Sequence, residues 1–301
     1  MAHRQTISFL TKRFREAGIR PLTKFGQNFL IDLNLVQLLA DTAELDKRDV
    51  VLEVGTGTGS LTAMLADKAA AVVTVEVDPQ LFQLAREELA GRDNVTMLHQ
   101  DVLRNKNNIH PTVLEAVAAA VSQAPQRRLK LAANLPYNIA TPLISNLLLT
   151  EITPALMAVT IQKELADRIV ARPRTKDYGA LSVWVQSLCR AEIVREMGPT
   201  VFWPRPKVDS AIIRIEPQES LRARIPDIRF FHTFVRSMFF HRRKFLRSVA
   251  ISAFKNQLTK PQVDEVLAAH QLAADCRTEQ LTPDELLALG DSFRAKLAEE
   301  N

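Results

Sequence analysis

Strand-like and helix-like patterns alternate between residues 49 and 217, at a spacing that fits a mostly parallel sheet with helices on both faces. DVVLEVG (49–55), AVVTVEVD (71–78), NVTMLHQD (94–101), RLKLAAN (128–134) and PALMAVTIQ (154–162) read as strands; AEIVREMG (191–198) and DSAIIRIEP (209–217) add two more. Helical patterns separate them: SLTAMLADKAA, PQLFQLAREELAG, PTVLEAVAAAVSQ, TPLISNLLLT, ELADRIVAR and ALSVWVQSLCR. A further helix starts near Asp32. From Glu219 to Asn301 the strand signal stops, and helical stretches are separated by Pro226, Pro261 and Pro283. The expected architecture is an α/β, Rossmann-like domain over 1–218 with a mostly parallel seven-stranded sheet and a basic N-terminal arm (1–27). A small α-helical domain over 219–301 follows.

Several classes are unsupported. No run of 18 apolar residues is present, and the basic N-terminus lacks the apolar core of a secretory leader, so a cytoplasmic protein without a membrane span is expected. Cys189 and Cys276 form no framework, and Cys189 reads as buried packing. His3, His99, His110, His232, His241 and His270 show no ligand spacing, so no metal is expected. The absence of Gly-x-Ser-x-Gly leaves hydrolase chemistry without support. No heptad seam is evident, which makes a monomer the default.

The first strand of the series runs into Glu53-Val54-Gly55-Thr56-Gly57-Thr58-Gly59. Glycines there permit a tight turn and let a ligand approach the main chain at a helix N-terminus. A P-loop would need a lysine after Gly59, and a dinucleotide fingerprint would need its third glycine at Ser60. The remaining reading is the Glu-x-Gly-x-Gly-x-Gly loop of S-adenosylmethionine (SAM)-dependent methyltransferases, with Gly55 and Gly57 against the cofactor. Glu76, ending the second strand, lies about 20 residues past the glycines, where an acid accepts from ribose hydroxyls. Asp78, just before Pro79, reads as a helix cap. Asp101, ending the third strand, can accept from an adenine amino group or simply close a turn.

The fourth strand ends in Asn134-Leu135-Pro136-Tyr137. An adenine exocyclic amine is a poor nucleophile because its lone pair is delocalised into the ring. Two acceptors on its N–H groups, the Asn134 side chain and the Leu135 carbonyl, would localise that pair as the nitrogen becomes tetrahedral. Pro136 fixes the turn, and Tyr137 offers a face for an extruded base. No basic side chain is required, since positioning and electrostatics suffice.

Across nearly its whole length the chain resembles the small-subunit rRNA adenine dimethyltransferases, of the KsgA type. The resemblance rests on Phe25–Leu30, the glycine loop, Asn134–Pro142, Gln162–Glu164, Tyr178–Ser182, Phe202–Ser210 and Phe240–Arg247. Ala140 stands where serine is more usual, Phe245 where threonine is, and Ser248 where asparagine is. The resemblance implies dimethylation of two adjacent adenosines in a 3′-terminal hairpin of 16S rRNA, within the 30S subunit or its precursor. It implies SAM contacts by Gln27, Asn28 and Leu30, joined by Asn134, and an aromatic wall at Phe202 opposite Tyr137. Residues 105–128 are longer than that resemblance leads one to expect, and read as an added surface helix.

The net charge is +5, from 39 Lys and Arg against 34 Asp and Glu. Lys12, Arg13, Arg15, Arg20 and Lys24 crowd the N-terminus; Arg236, Arg242, Arg243, Lys244 and Arg247 crowd a later segment. Residues 230–254 can form one amphipathic helix on which Arg236, Arg243 and Arg247 share a face. That stripe is the candidate rRNA-phosphate contact, although a charged run also serves as a solvated face. The competing functions are a large-subunit rRNA methyltransferase of the antibiotic-resistance type, a DNA adenine methyltransferase, a largely non-catalytic 30S assembly factor and a dehydrogenase.

Overall fold

A strand buried on both faces must be covered by helices on both sides, and the β-branched runs of this chain meet that demand. The computed structural model describes residues 7–16, 18, 19 and 26–299. Arg20, Lys24 and Phe25, which the sequence places in the basic arm and the first motif, lie outside them.

The chain opens with α1 (Ile7–Glu16), the short β1 (Phe29–Leu30) and α2 (Leu33–Thr42). The Asp32 side chain accepts from the backbone N–H groups of Asn34 and Leu35, which starts α2. Then come β2 (Asp49–Val54), α3 (Ser60–Lys68), β3 (Ala71–Glu76), α4 (Pro79–Glu88) and β4 (Val95–His99). A small antiparallel pair, β5 (Leu103–Asn105) and β6 (Asn108–Ile109), precedes α5 (Pro111–Ser122). Next are β7 (Arg128–Asn134), α6 (Ala140–Leu147), β8 (Met157–Gln162), α7 (Lys163–Val170) and α8 (Ala180–Gln186). The strands close with β9 (Cys189–Met197), β10 (Phe202–Trp203) and β11 (Ser210–Pro217). Helices α9 (Glu219–Arg222), α10 (Ile228–Met238), α11 (Leu246–Ala253), α12 (Lys260–Ala269) and α13 (Pro283–Glu299) complete the chain.

The seven-stranded sheet has the order β4-β3-β2-β7-β8-β11-β9. Strands β4, β3, β2, β7 and β8 run parallel, and β11 is antiparallel to β8. This is the mostly parallel α/β sheet read from the sequence. From β2 the chain works outward through β3 and β4, then returns to lay β7 on the other side of β2. That reversal opens a crevice beyond the carboxyl ends of β2 and β7, where ligands of open α/β sheets bind. At the opposite ends of the same two strands, Lys130 Nζ lies 3.1 Å from the fully buried Asp49 carboxylate and also donates to the Ala43 and Glu44 carbonyls. A buried lysine is tolerable there because each of its donors has an acceptor.

Residues 105–128 do not add a surface helix. Helix α5 buries Val113 and Val117 and covers β2, β3 and β7, so it is the crossover on the way to β7. The β5–β6 hairpin leads into it. The stretch 230–254 is likewise not one helix. Thr278 Oγ1 donates to the Met238 carbonyl at 2.9 Å, stopping α10, and Leu246 N donates to the Cys276 carbonyl at 2.7 Å, fixing the entry to α11. A tertiary partner for each end outweighs the continuous helical pattern, and Arg243 falls in the intervening turn.

The chain divides into two compact units, Met1–Ala166 with Glu192–Glu216, and Asp167–Ala191 with Pro217–Asn301. The boundary read between 218 and 219 therefore omits a segment: residues 167–191 pack with the helices that follow β11. The Tyr178 hydroxyl donates to the Leu281 carbonyl at 2.8 Å, and Trp184 lies 6.3 Å from Phe231, ring centre to ring centre. Gly290 of α13 sits where an added Cβ would be 2.9 Å from the Phe234 ring, so α10 and α13 approach too closely for any other residue. Cys189 is buried, as the sequence suggests, but it opens β9 rather than ending a helix. Among the described residues no helix is long and apolar enough to cross a membrane. Tyr178→Phe leaves the buried Leu281 carbonyl without its partner; urea unfolding followed by tryptophan fluorescence is expected to show a loss of about 1–3 kcal/mol.

Candidate active site

The crevice is built from four strand ends and the segment that leads into β1. Its lining includes Gln27, Asn28, Gly55, Gly57, Glu76, Asp101, Asn134, Leu135 and Pro136. These are nine of the residues singled out from the sequence, drawn from segments more than 100 residues apart.

Gly57 has φ +58° and its N–H donates to Glu76 Oε2 at 2.9 Å. A side chain there would meet the left-handed backbone penalty and the Phe29 ring at 3.3 Å. Glu76 is 5 % exposed, and its other oxygen accepts from Val77 N and Asp78 N, each at 3.0 Å. Burial pushes its carboxyl up from the ordinary range, with the three backbone N–H groups pulling against that. About one of its four lone-pair directions is left for a ligand. Asp78 caps α4 through Gln80 N and Leu81 N, and its second oxygen accepts from Gln27 Nε2 at 3.0 Å. Asp101 accepts from Leu103 N at 2.9 Å, so it closes a turn while also lining the crevice.

The Asn134 amide nitrogen donates to the Asn28 carbonyl at 2.8 Å. A carbonyl can only accept, so this contact determines which end of the amide is which, and Oδ1 is the free acceptor. Leu135 N donates to the Thr160 carbonyl, and Ile139 N donates to Pro136 O, closing the turn after β7. The Tyr137 hydroxyl is 2.6 Å from Ser210 Oγ, which anchors the ring at the start of β11. Burial pushes the Tyr137 hydroxyl up from its usual value, against the opposing pull of Ser210.

Two assignments change. Phe202 is 2 % exposed and packs with Leu30, Val36 and Ile212; it does not line the crevice. Pairing of β1 with β10 sets Leu30 opposite Phe202 and Phe29 opposite Trp203. Side chains alternate along a strand, so Phe202 joins the core while Trp203 meets Phe29 and Phe14 on the other side. Leu30 is buried by the same pairing, although it borders a smaller cavity that shares Phe29, Gly55, Gly57 and Asn134 with the crevice.

Other residues line the crevice without having been chosen from the sequence. Val77 and Val102 add apolar surface next to Asp101. The Gln100 side-chain nitrogen is buried in the lining with no acceptor among the described residues. A buried donor without a partner is costly, and a ligand carrying a ring nitrogen would satisfy it. Its only sequence signal is its place at a strand end, directly before Asp101.

Glu53, at the end of β2, is wholly buried. Its Oε2 accepts from Thr62 Oγ1 at 2.6 Å and Thr74 Oγ1 at 2.7 Å, while Oε1 has no partner among the described residues. Thr74 has given its proton to Glu53, so Thr56 donates to Thr74 across 2.6 Å. Burial pushes the Glu53 carboxyl up to about 8; the two threonine hydroxyls oppose this and the Glu76 charge adds to it.

The family model for ribosomal RNA adenine dimethylases matches residues 20–287. The chain belongs to the ribosomal RNA adenine dimethylase family. It is 38 % identical over 273 residues to a ribosomal RNA small subunit methyltransferase A of Streptococcus gordonii, covering 90 % of this chain and 91 % of that one. It is 38 % identical to the protein of the same name from Halothermothrix orenii, over 92 % and 89 % of the two chains. Among solved structures, a dimethyladenosine transferase from Plasmodium falciparum superposes with a TM-score of 0.71 at 23 % identity, over 88 % of this chain and 97 % of that one. The 23S rRNA methyltransferase ErmE does so with 0.59 at 26 % identity, over 89 % and 100 %. This dimethylase is thus a methyltransferase by family, with the sheet and strand-end crevice described above.

The raised Glu53 value carries a pH signature. The folded protein holds this proton longer than the unfolded chain. The group's contribution to stability is therefore complete below about pH 4.5, the ordinary glutamate value, and is lost as pH rises toward about 8. Glu53→Gln removes that dependence. Urea unfolding at pH 5 and pH 8 is expected to show the variant gaining on wild type by ~1 kcal/mol or more over that interval.

Proposed function

We propose that the chain transfers methyl groups from SAM to the exocyclic N6 amines of two adjacent adenosines near the 3′ end of 16S rRNA, in the 30S subunit or its precursor. The observation that carries this is the orientation of Asn134: with its nitrogen held by the Asn28 carbonyl, Oδ1 is the end free to accept from a substrate N–H.

The residues present fit the cofactor. Gly55 and Gly57 leave main chain open to it, Glu76 keeps a lone-pair direction for a ribose hydroxyl, and Val77 and Val102 offer apolar surface for a purine. Asp101 can accept from the adenine amine, and the unpartnered Gln100 nitrogen can donate to a ring nitrogen. Asn28 and Gln27 close the N-terminal side. When bound, SAM supplies a methyl group activated on a sulfonium.

Asn134 Oδ1 and the Leu135 carbonyl would each accept one N–H of the target amine and direct its lone pair toward the methyl group. On accepting the methyl group the target nitrogen would become tetrahedral and positive. Both acceptors stabilise it in that state more than in the planar amine, which is how they lower the barrier. The spare proton leaves to water. Pro136 keeps the turn rigid, and Tyr137, pinned by Ser210, offers its face to the extruded base. Phe202, buried in the core, is left out of this mechanism.

Recognition of the particle falls to the second unit. Arg236, Arg243 and Lys244 have no ion pair among the described residues and are the phosphate contacts in this reading. Arg242 is bound to Glu279 at 2.6 Å, and Arg247 grips Asp264 through two bonds of 2.6 and 2.8 Å. Those two would have to exchange a carboxylate for a phosphate. The reading implies a cytoplasmic enzyme that works as a monomer.

The test is transfer of labelled methyl from SAM to unmethylated 30S particles, followed by mass spectrometry of the nucleosides. Dimethyladenosine at two adjacent 3′-terminal positions is the expected product. Transfer to protein-free 23S rRNA in place of 30S would redirect the substrate assignment, and no transfer to any RNA would end it. Asn134→Ala is expected to lower the transfer rate about 10²–10³-fold, the usual cost of one preorganised polar contact to developing charge. Glu76→Gln should weaken SAM binding, measured by titration calorimetry, about 10- to 100-fold, the range of a hydrogen bond to a charged group.

A further inference from the structure

The turn between α10 and α11 exposes a large aromatic ring. Phe240 is 80 % exposed, the most of any large apolar residue among those described. Its ring meets His241 edge to face, with centroids 4.9 Å apart and planes at 84°, an arrangement that limits its orientation without hiding it. It rims a groove of about 430 Å³ between α10 and α11, within the size range of small-molecule sites. Arg236, Ser237, His241 and Ser252 supply polar groups, and Val249 supplies apolar surface. Arg243 and Lys244 follow in the same turn. Phe245, the other exposed aromatic of the segment, has the Arg277 guanidinium 5.7 Å from its ring centre, so one of its faces is already engaged.

An exposed phenylalanine costs solubility and contributes nothing to the core, so its place beside a polar groove and unpaired cations calls for a ligand with a flat apolar face and negative charge. Nucleotides have both. We infer that this groove binds an unpaired nucleotide of the rRNA substrate, its base stacked on Phe240 and its phosphate held by Arg236, with Arg243 and Lys244 tracking the flanking backbone. The contact is separate from the methylation crevice, whose lining lies wholly in the other unit. Stacking and charge divide the work: the ring accepts any base, since every base has a π face, and the cations add a salt-dependent attraction. The inference rests on the rRNA reading above and deepens it. A membrane surface would use the same cations but would want several apolar side chains in a row, and Phe240 stands between Phe239, which caps α10, and four polar residues, His241–Lys244.

The experiment compares binding of the full-length wild type, Phe240→Ala, Phe240→Trp and Arg243→Gln to unmethylated 30S particles across a salt series. Melting temperature and SAM affinity serve as the folding check. Phe240→Ala should bind about 5- to 150-fold more weakly, the worth of one base–aromatic stack, with an unchanged slope of log K against log salt. Phe240→Trp should bind at least as well as wild type, and its added fluorescence should be quenched by the particle. Arg243→Gln should reduce the salt slope by about 0.7–0.9. Wild-type affinity in Phe240→Ala would overturn the inference, as would a loss that comes with a reduced salt slope, because the ring would then merely support the cations. Wild-type protein that fails to bind or methylate any RNA would overturn the rRNA reading beneath it. Methylation by wild type together with full binding by Phe240→Ala would sink the groove alone.

Discussion

A buried carboxylate must be matched by donors, and Glu76 is matched by three backbone N–H groups from two segments. Gly57 N belongs to the loop after β2; Val77 N and Asp78 N belong to the exit from β3. The acid therefore ties two strand ends into one rigid rim, and Asp78 extends the tie to Gln27. The geometry depends on glycine at 57, because a side chain at φ +58° would be strained and would press on Phe29. Once that rim is set, the N-terminal segment can lay Asn28 beside β7, and Asn134 acquires the carbonyl that orients its amide. The orientation of the Asn134 amide is thus the last link of a chain of contacts that starts with the Glu76 carboxylate.

The crevice also separates two kinds of acid. Glu53 and Glu76 stand at the ends of adjacent strands, yet their environments differ in the donors they meet. Glu53 meets two hydroxyls and is left with one bare oxygen, so burial prevails and it holds its proton near neutrality. Glu76 meets three backbone N–H groups that favour the charged form. Burial raises both acids; Glu53, with fewer donors, holds its proton behind the loop, while at Glu76 three backbone N–H groups oppose the rise on the side facing the crevice.

Much of this was legible in the sequence because the signals were local. The strands showed themselves as β-branched runs long enough to cross a sheet, and their ends carried Gly55, Glu76, Asp101 and Asn134 to one rim through topology alone. What was illegible depended on partners distant in the chain. The stop of α10 needs Thr278, and the start of α11 needs the Cys276 carbonyl, so residues 230–254 look like one helix until those contacts form. Phe202 matched a motif position, but the motif is silent about which way a two-residue strand faces; pairing with Leu30 turns the ring inward. Gln100 had no periodicity to mark it, and its unpartnered nitrogen becomes visible only when the surrounding acceptors are in place.

The second unit is assembled from two stretches of chain with strands β9, β10 and β11 between them. During synthesis, residues 167–191 emerge well before the helices they pack on. The Tyr178 hydroxyl waits for a carbonyl 103 residues later, about 5–20 s at ordinary ribosomal speeds. For about the first half of that interval, until α10 is made, Trp184 has no Phe231 beside it, while β9 and β11 can already dock on the sheet. The first unit can thus close around its crevice while the second is still partly unmade. For a nascent chain, the Trp184 face of α8 is a surface that stays uncovered until α10 has been made.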